Sequence, residues 1–369
     1  MGLGICDLGF ASSRAGLGDM TAHPIIIPIF LPNLGCRECC LFCNQKATAK
    51  EVPSPSSVRK FIEASITGLP SDKKNREKQI AFYGGSFTAI PQEDQVCYLK
   101  EVQPFLRSGL IHSIRISTRP DALEEEILTL LKEYGVKTVE IGAQSMIDEI
   151  LILSKRGHQA EDTISAASRL RRCGFEVGIH LMIGLLGDSY DCFLQTLDRV
   201  IDLKPDFLRI HPTLVLRGSP LEVLWRAGKY SPLSLEEAVH WLKKGLLKLE
   251  RSGIRVVRIG LQPTQELEKH LLAGPYHPAL HQLIDSEIAF DMAEHLLKLY
   301  PEEREPLFLC HPKEVSNLRG QRNRNILNLK NQFRLKEIFV ENREDIPRGS
   351  LALQNREGST SIDRRSLGF

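Results

Sequence analysis

From residue 25 onward, short apolar runs alternate with amphipathic stretches. "IIIPIFL" (25 to 31) predicts a buried strand, and "SSVRKFIEASITGL" (56 to 69) predicts a helix opened by a serine cap. The alternation returns at "QIAFY" (79 to 83), "SIRIS" (113 to 117), "TVEIGA" (138 to 143), "FEVGIHLMI" (175 to 183) and "FLRIHPTLV" (207 to 215). Most of these are followed by a helical pattern such as "DALEEEILTLLKEYG" or "DCFLQTLDRVIDL". Six strands joined by crossovers imply a parallel sheet, because right-handed βα units close toward a barrel or wind into an open sheet. The expected fold class is therefore α/β, a partial parallel (βα)6-type, TIM-like barrel. In such sheets ligands collect at the C-terminal strand ends.

Past residue 216 come two more helical patterns and a further strand, "IRVVRIGL" (254 to 261), after which the pattern loosens. These shifts predict an N-terminal extension over 1–22, disordered or preceding a true start at Met20; a barrel core over 23–262; a C-terminal mixed extension over 263–340; and a flexible polar tail over 341–369.

Composition narrows the class without naming a partner. The chain has 369 residues, 42% of them apolar, enough for a substantial core, and 48 basic against 46 acidic residues leave a net charge of only +2. No run approaches the roughly 18 apolar residues of a membrane span, and no leader precedes an apolar core, so no membrane partner is expected. Nine cysteines, five scattered and four crowded together, are unlike the framework of a secreted disulfide scaffold. A reducing cytoplasm suits them better.

The four crowded cysteines lie in "LGCRECCLFCNQ" (34 to 45), directly after the first strand and hence at the C-terminal rim of the sheet. Cys36, Cys40 and Cys43 are spaced C-x3-C-x2-C, with Phe42 before the last and Cys39 left over. Three thiolates from one tight loop suit three irons of a [4Fe-4S] cubane, leaving the fourth iron open. Zinc on two C-x-x-C pairs is the alternative, although structural zinc sites usually separate such pairs by about a dozen residues. Incidental buried cysteines are a third reading.

Other rim residues have both a structural and a functional reading. Gly84, Gly85 and Ser86 in "FYGGSFT" make either an ordinary turn or a place where backbone approaches a ligand. In "STRPD", Asp121 is expected to cap the next helix, while Ser117 and Arg119 are placed to reach a ligand. Glu140, inside an apolar strand, must be paired or bound to a ligand such as a ribose hydroxyl, a task Gln144 can share. Arg156 in "KRGH" is either a carboxylate-gripping guanidinium or a solvated helix-end charge. His180 and His211 are expected to line the cavity.

Cys36, Cys40 and Cys43 with Phe42, following a first strand, resemble the signature of the radical S-adenosylmethionine (SAM) superfamily. The segments "IIPIFLPNLGC", "FCNQ", "FYGGSFT", "STRPD", "EIGAQS", "RGH" and "HPTLVLRGSPLEVLW" resemble, from about residue 24 to 262, the radical SAM part of the Elongator catalytic subunit and its shorter prokaryotic relatives. The resemblance implies a [4Fe-4S] cluster on the three cysteines and SAM chelating its open iron. It places Phe42, Gly84, Gly85, Ser86, Ser117, Arg119, Glu140, Gln144, Arg156 and His180 around SAM. Also implied are reductive cleavage of SAM to a 5'-deoxyadenosyl radical, a one-electron reductant of flavodoxin or ferredoxin type, and tRNA as candidate substrate. Small-metabolite or tetrapyrrole chemistry, or a non-enzymatic metal-binding role, are the other readings. Residues after 262 are few for an acetyltransferase domain, and Gln45 stands where coproporphyrinogen oxidases usually have a further cysteine.

"RGQRNRNILNLKNQFRLK" (319 to 336) carries Arg319, Arg322, Arg324, Lys330, Arg334 and Lys336 without an acid. Sharing one face, they would neutralise several phosphates; otherwise they form a solvated surface.

Overall fold

The structure, a computed structural model, describes residues 24–36, 40–44, 52–355 and 358–368. The expectations for residues 1–22, for Cys39 and for Gln45 fall outside them. Among the described residues no helix is long and apolar enough to cross a membrane.

Among the described residues two compact units are present: one takes those up to Leu233 together with Val256–Pro275, the other Ser234–Arg255 together with those from Tyr276 onward. The first contains β1 (Ile25–Phe30), α1 (Pro55–Thr67), β2 (Lys78–Tyr83), α2 (Gln92–Arg107), β3 (Ser113–Thr118), α3 (Glu125–Glu133), β4 (Val136–Gln144), α4 (Asp148–Leu153) and α5 (Ala160–Arg172). It continues with β5 (Glu176–Ile183), α6 (Tyr190–Leu203), β6 (Phe207–Pro212), β7 (Val215–Leu216) and α7 (Pro220–Arg226). After α8 (Leu235–Arg251), which belongs to the second unit, β8 (Val256–Ile259), α9 (Gln265–His270) and β9 (Leu271–Ala273) complete the first.

Its main sheet runs β1-β2-β3-β4-β5-β6-β8, every pairing parallel. The partial barrel thus stands, with seven strands rather than six: "IRVVRIGL" supplies β8, which pairs with β6. "FLRIHPTLV" divides into β6 and the short β7, which pairs with β9 in a separate ribbon. Helix α1 begins after a serine cap as its sequence suggests, but the cap is Ser54, whose side chain accepts from the Ser57 amide.

Period-two alternation decides what faces where. Ile114 and Ile116 of β3, Val139 and Ile141 of β4, Ile179 and Leu181 of β5, and Leu208 and Ile210 of β6 are fully buried. The residues between them, Arg115, Ser117, Glu140, Gly142, His180, Arg209 and His211, point to the opposite face. Parallel register sets Ser117 beside Glu140, His180 beside Arg209, and Arg209 beside Arg258. The sheet therefore has an apolar face for its helices and a polar concave one.

The second unit contains α8, α10 (Leu280–Leu299), β10 (Leu307–Cys310), α11 (Val315–Arg319), α12 (Arg324–Phe333), β11 (Phe339–Asn342), β12 (Ser350–Asn355) and β13 (Gly358–Asp363). Its sheet, ordered β11-β10-β12-β13, mixes one parallel with two antiparallel pairings. Two sequence boundaries change as a result: residues 234–255 leave the core, and 263–275 join the first unit. The expected flexible tail is also corrected. Polar as it is, it buries Leu351, Ala352, Leu353 and Ile362 in the core, and Arg364 is held by Asp285 (2.9 Å) and Glu250 (3.1 Å).

Candidate active site

A cavity of about 710 Å³ opens on the concave face at the C-terminal strand ends. Its lining includes Cys36, Cys40, Cys43, Phe42, Gly84, Gly85, Ser86, Ser117, Arg119, Glu140, Gln144, Arg156, His180 and His211. Residues singled out across 175 positions of sequence thus share one wall, because most lie on or just after a strand of the same parallel sheet and Arg156 comes from the loop after α4.

The cysteine loop is clamped from three sides. The Leu41 amide donates to the Ser154 carbonyl (3.1 Å), the Leu221 amide to the Leu41 carbonyl (2.8 Å), and Asn44 Nδ2 to the Arg217 carbonyl (2.5 Å). Phe42 packs against the apolar cluster of Val215, Leu221 and Tyr230, so the aromatic before the last cysteine anchors the loop as well as lining the cavity. On the third side the turn after β2 interlocks with the loop, the Ser86 amide donating to the Leu34 carbonyl at 2.9 Å. A Cβ on Gly85 would lie 2.1 Å from the Leu34 oxygen, and one on Gly35 2.2 Å from the Ser86 oxygen. The glycine at 85 is therefore required for packing, quite apart from any ligand.

Cys40 is buried, and Arg156 Nη1 donates to its Sγ at 3.2 Å while Nη2 donates to the Gly142 carbonyl at 2.6 Å. Arg156 is only 7% exposed, which overturns the solvated-charge reading. Burial, then the neighbouring Cys40, push the Cys36 thiol up, against the opposing pull of Arg156 and Arg119. Bound metal reverses that balance, since a coordinating thiol is deprotonated.

Arg119 makes two parallel bonds to Asp121, at 2.9 and 2.8 Å, and a third to the Gly157 carbonyl at 3.2 Å. Asp121 therefore secures this arginine and caps no helix; α3 starts later, after Glu124, without a side-chain cap. Gln144 sits at a register shift with a left-handed φ of 69°. Such backbone is uncommon outside glycine and collects at functional sites.

Glu140 is fully buried, and its partners decide its role. Oε1 accepts from Arg115 Nη1 (2.8 Å) and the Tyr83 hydroxyl (2.9 Å); Oε2 accepts from Arg209 Nε (2.7 Å) and from His180 Nε2. Four donors fill a carboxylate's usual four acceptor sites, so Glu140 organises the cavity floor and has no lone pair left for a ribose hydroxyl. Burial disfavours its charge, but Arg209, His180 and Arg115 override this and hold the carboxyl well below its usual range. Gly178 makes room for the network: a Cβ there would meet the Phe207 ring at 2.4 Å and Glu140 Cγ at 3.2 Å.

Arg115, Arg209, Tyr83 and Arg258 are site residues that motif reasoning missed. Their signal was a polar residue at alternate positions of an otherwise apolar strand, as in "SIRIS" and "FLRIHP". The basic stretch does not run as one continuous helix. Left-handed Arg322 and Asn323 break it between α11 and α12, and Lys330 pairs with Glu337 at 3.2 Å.

Two features show that the cavity suits a polar ligand beside the thiols: Ser117 Oγ and Arg156 Nε are buried without a hydrogen-bond partner among the described residues. Such orphaned atoms are costly unless a ligand completes them. Among the described residues no three Cys, His, Asp or Glu side chains converge as a single metal ion requires. A cubane makes no such demand, because each thiolate binds a different iron.

Two family models match the chain: the radical SAM superfamily over residues 31–200 and the radical SAM C-terminal domain over residues 205–289. The tRNA uridine(34) acetyltransferase of Methanocaldococcus infernus is 39% identical over 192 residues, covering 47% of this chain and 35% of that protein. Protein YhcC of Escherichia coli is 29% identical over 202 residues, 54% of this chain and 63% of that one. The chain thus spans less than two thirds of the length of either. In fold it is similar to the archaeal Methanocaldococcus infernus Elp3 with an N-terminal deletion, with a TM-score of 0.59 and 23% identity over 72% of this chain and 63% of that one. Members of the matched superfamily use a [4Fe-4S] cluster and SAM, and the thiols, the buried arginine and the orphaned hydroxyl fit both. The chain belongs to the radical SAM superfamily.

Proposed function

We propose that Cys36, Cys40 and Cys43 hold a [4Fe-4S] cluster beside a SAM site, and that the enzyme modifies a nucleoside of tRNA. When bound, the cluster supplies the electron that cleaves SAM to methionine and a 5'-deoxyadenosyl radical able to abstract hydrogen. The chain's own residues bind and orient. Arg156, already against Cys40, is placed to receive a carboxylate through its unpartnered Nε; Ser117 Oγ completes a hydrogen bond to the ligand; and the turn at Gly84 and Gly85 fixes the loop. Gln144 and Arg119 supply further polar groups on the wall, and Phe42 shields one side from water.

The observation that carries this reading is the meeting of three thiols, a buried arginine and an orphaned hydroxyl in one cavity. The tRNA part draws support from the likeness to tRNA uridine(34) acetyltransferases, of which this chain matches only part. A cytoplasmic location and a flavodoxin- or ferredoxin-type electron donor accompany the proposal. Anaerobic reconstitution is expected to yield about four irons per chain and, once reduced, 5'-deoxyadenosine from SAM. Deuterium moving from labelled tRNA into deoxyadenosine tests the substrate. Zinc without iron refutes the cluster, and cleavage that never draws label from tRNA refutes the substrate.

A further inference from the structure

Beyond the cysteine and SAM residues, the cavity is lined by His211 on β6 and by Arg258, Leu261 and Gln262 at and after β8. His211 has one nitrogen assigned by its partner. Its Nδ1 lies 3.0 Å from the carbonyl oxygen of Gly260, which can only accept, so Nδ1 carries the proton. Nε2 has no hydrogen-bond partner among the described residues, and the ring lines the cavity. Burial first, then the neighbouring His180, Arg209 and Arg258, push the His211 pKa down to about 3, so the ring is neutral at physiological pH. The side chains around it favour that state against the opposing pull of the Gly260 carbonyl: His180 stands edge-on at 5.9 Å, Arg209 is two residues back on the same strand, and Arg258 lies on the adjoining strand. Arg258 Nη2 donates to Gln262 Oε1 at 2.5 Å, and both side chains line the cavity that His211 lines.

A bare imidazole nitrogen thus lines the same cavity as the polar side chains of Arg258 and Gln262. We infer that His211 is a specificity-determining residue whose Nε2 accepts the ring N–H of a substrate base, with Arg258 and Gln262 serving the adjoining carbonyl. The complementary edge is an N–H next to a C=O, as in uracil, and it excludes cytosine, whose N3 would set one lone pair against another. The inference rests on the reading of the substrate as an RNA nucleoside.

The test is ligand-observed NMR binding of uridine, cytidine and N3-methyluridine to the reconstituted, SAM-loaded protein, its His211→Phe variant and its His211→Gln variant. Iron content and thermal midpoint of each variant show whether it is folded. Uridine is expected to bind about 10- to 100-fold more tightly than cytidine or N3-methyluridine, the usual effect of leaving one buried polar group unmatched. His211→Phe should abolish that preference, and His211→Gln, whose Oε1 is again an acceptor, should restore part of it. Uridine and N3-methyluridine binding alike, or a preference that survives in His211→Phe, overturns the role of His211 and leaves the RNA reading standing. No binding of any of the three nucleosides removes both.

Discussion

Replacing Glu140 with glutamine isolates the charge at the centre of the cavity floor. The side chain keeps its size but leaves Arg115 and Arg209, with side chains 8% and 7% exposed, facing a neutral amide. At an effective dielectric of about 20, each guanidinium contact is worth about 4 kcal/mol, about 8 for the two. The carboxylate no longer has to be stripped of water, which returns several kcal/mol, so a net loss of about 3–5 kcal/mol is expected, as for other broken buried pairs. The two tryptophans fall in different units, Trp225 in the first and Trp241 in the second. In a Trp241→Phe background, tryptophan fluorescence during urea unfolding therefore reports on the barrel unit alone. Acidity supplies a second readout. The folded-state pKa of Glu140 is depressed below 4.5, so its contribution is complete above about pH 4.5 and is lost as pH falls from there through the folded value. The gap between wild type and Glu140→Gln should accordingly close in acid. A loss under about 1 kcal/mol at pH 7, or a gap that does not change with pH, would refute the account of the floor as a charge-matched network.

Other consequences follow from contacts around the loop. Gly85→Ala should keep its far-UV circular dichroism but bind well under one cluster equivalent on reconstitution, since the new Cβ falls 2.1 Å from the Leu34 oxygen; full iron loading would count against the interlock. Phe42→Ala should lower barrel stability by about 3 kcal/mol, the low end for a phenylalanine that is only partly buried, and lower iron content with it. Arg156→Lys cannot serve both Cys40 and the Gly142 carbonyl, and calorimetry should show SAM affinity reduced roughly 10- to 100-fold. Ser117→Ala removes an unpartnered buried hydroxyl, so the cofactor-free protein should unfold at an equal or higher urea concentration while SAM binds more weakly; a plain loss of stability would mean the hydroxyl already has a partner.

The sequence by itself determined the parallel α/β architecture and the cysteine loop, because both are written in local terms. Apolar runs such as "QIAFY" and "SIRIS" specify strands wherever they pack, and three cysteines within eight residues are neighbours in any fold. The glycines at 84 and 85 were legible as candidates because they follow a strand, and the arginine at 156 through the short motif "KRGH" after a helix. Only tertiary structure decided what these groups do. Glu140 meets donors from β2, β3, β5 and β6, so whether it was paired or awaiting a ligand depended on residues up to 69 positions away. Arg156 reaches Cys40 across 116 positions, and Asp121 is drawn to Arg119 rather than to a helix end. The polar C-terminal segment folds because its apolar run Leu351–Leu353 finds a sheet partner in β10, far back along the chain. Local pattern fixes backbone conformation, whereas the pairing of charges and the choice of a histidine tautomer depend on register between strands, which no single stretch of sequence contains.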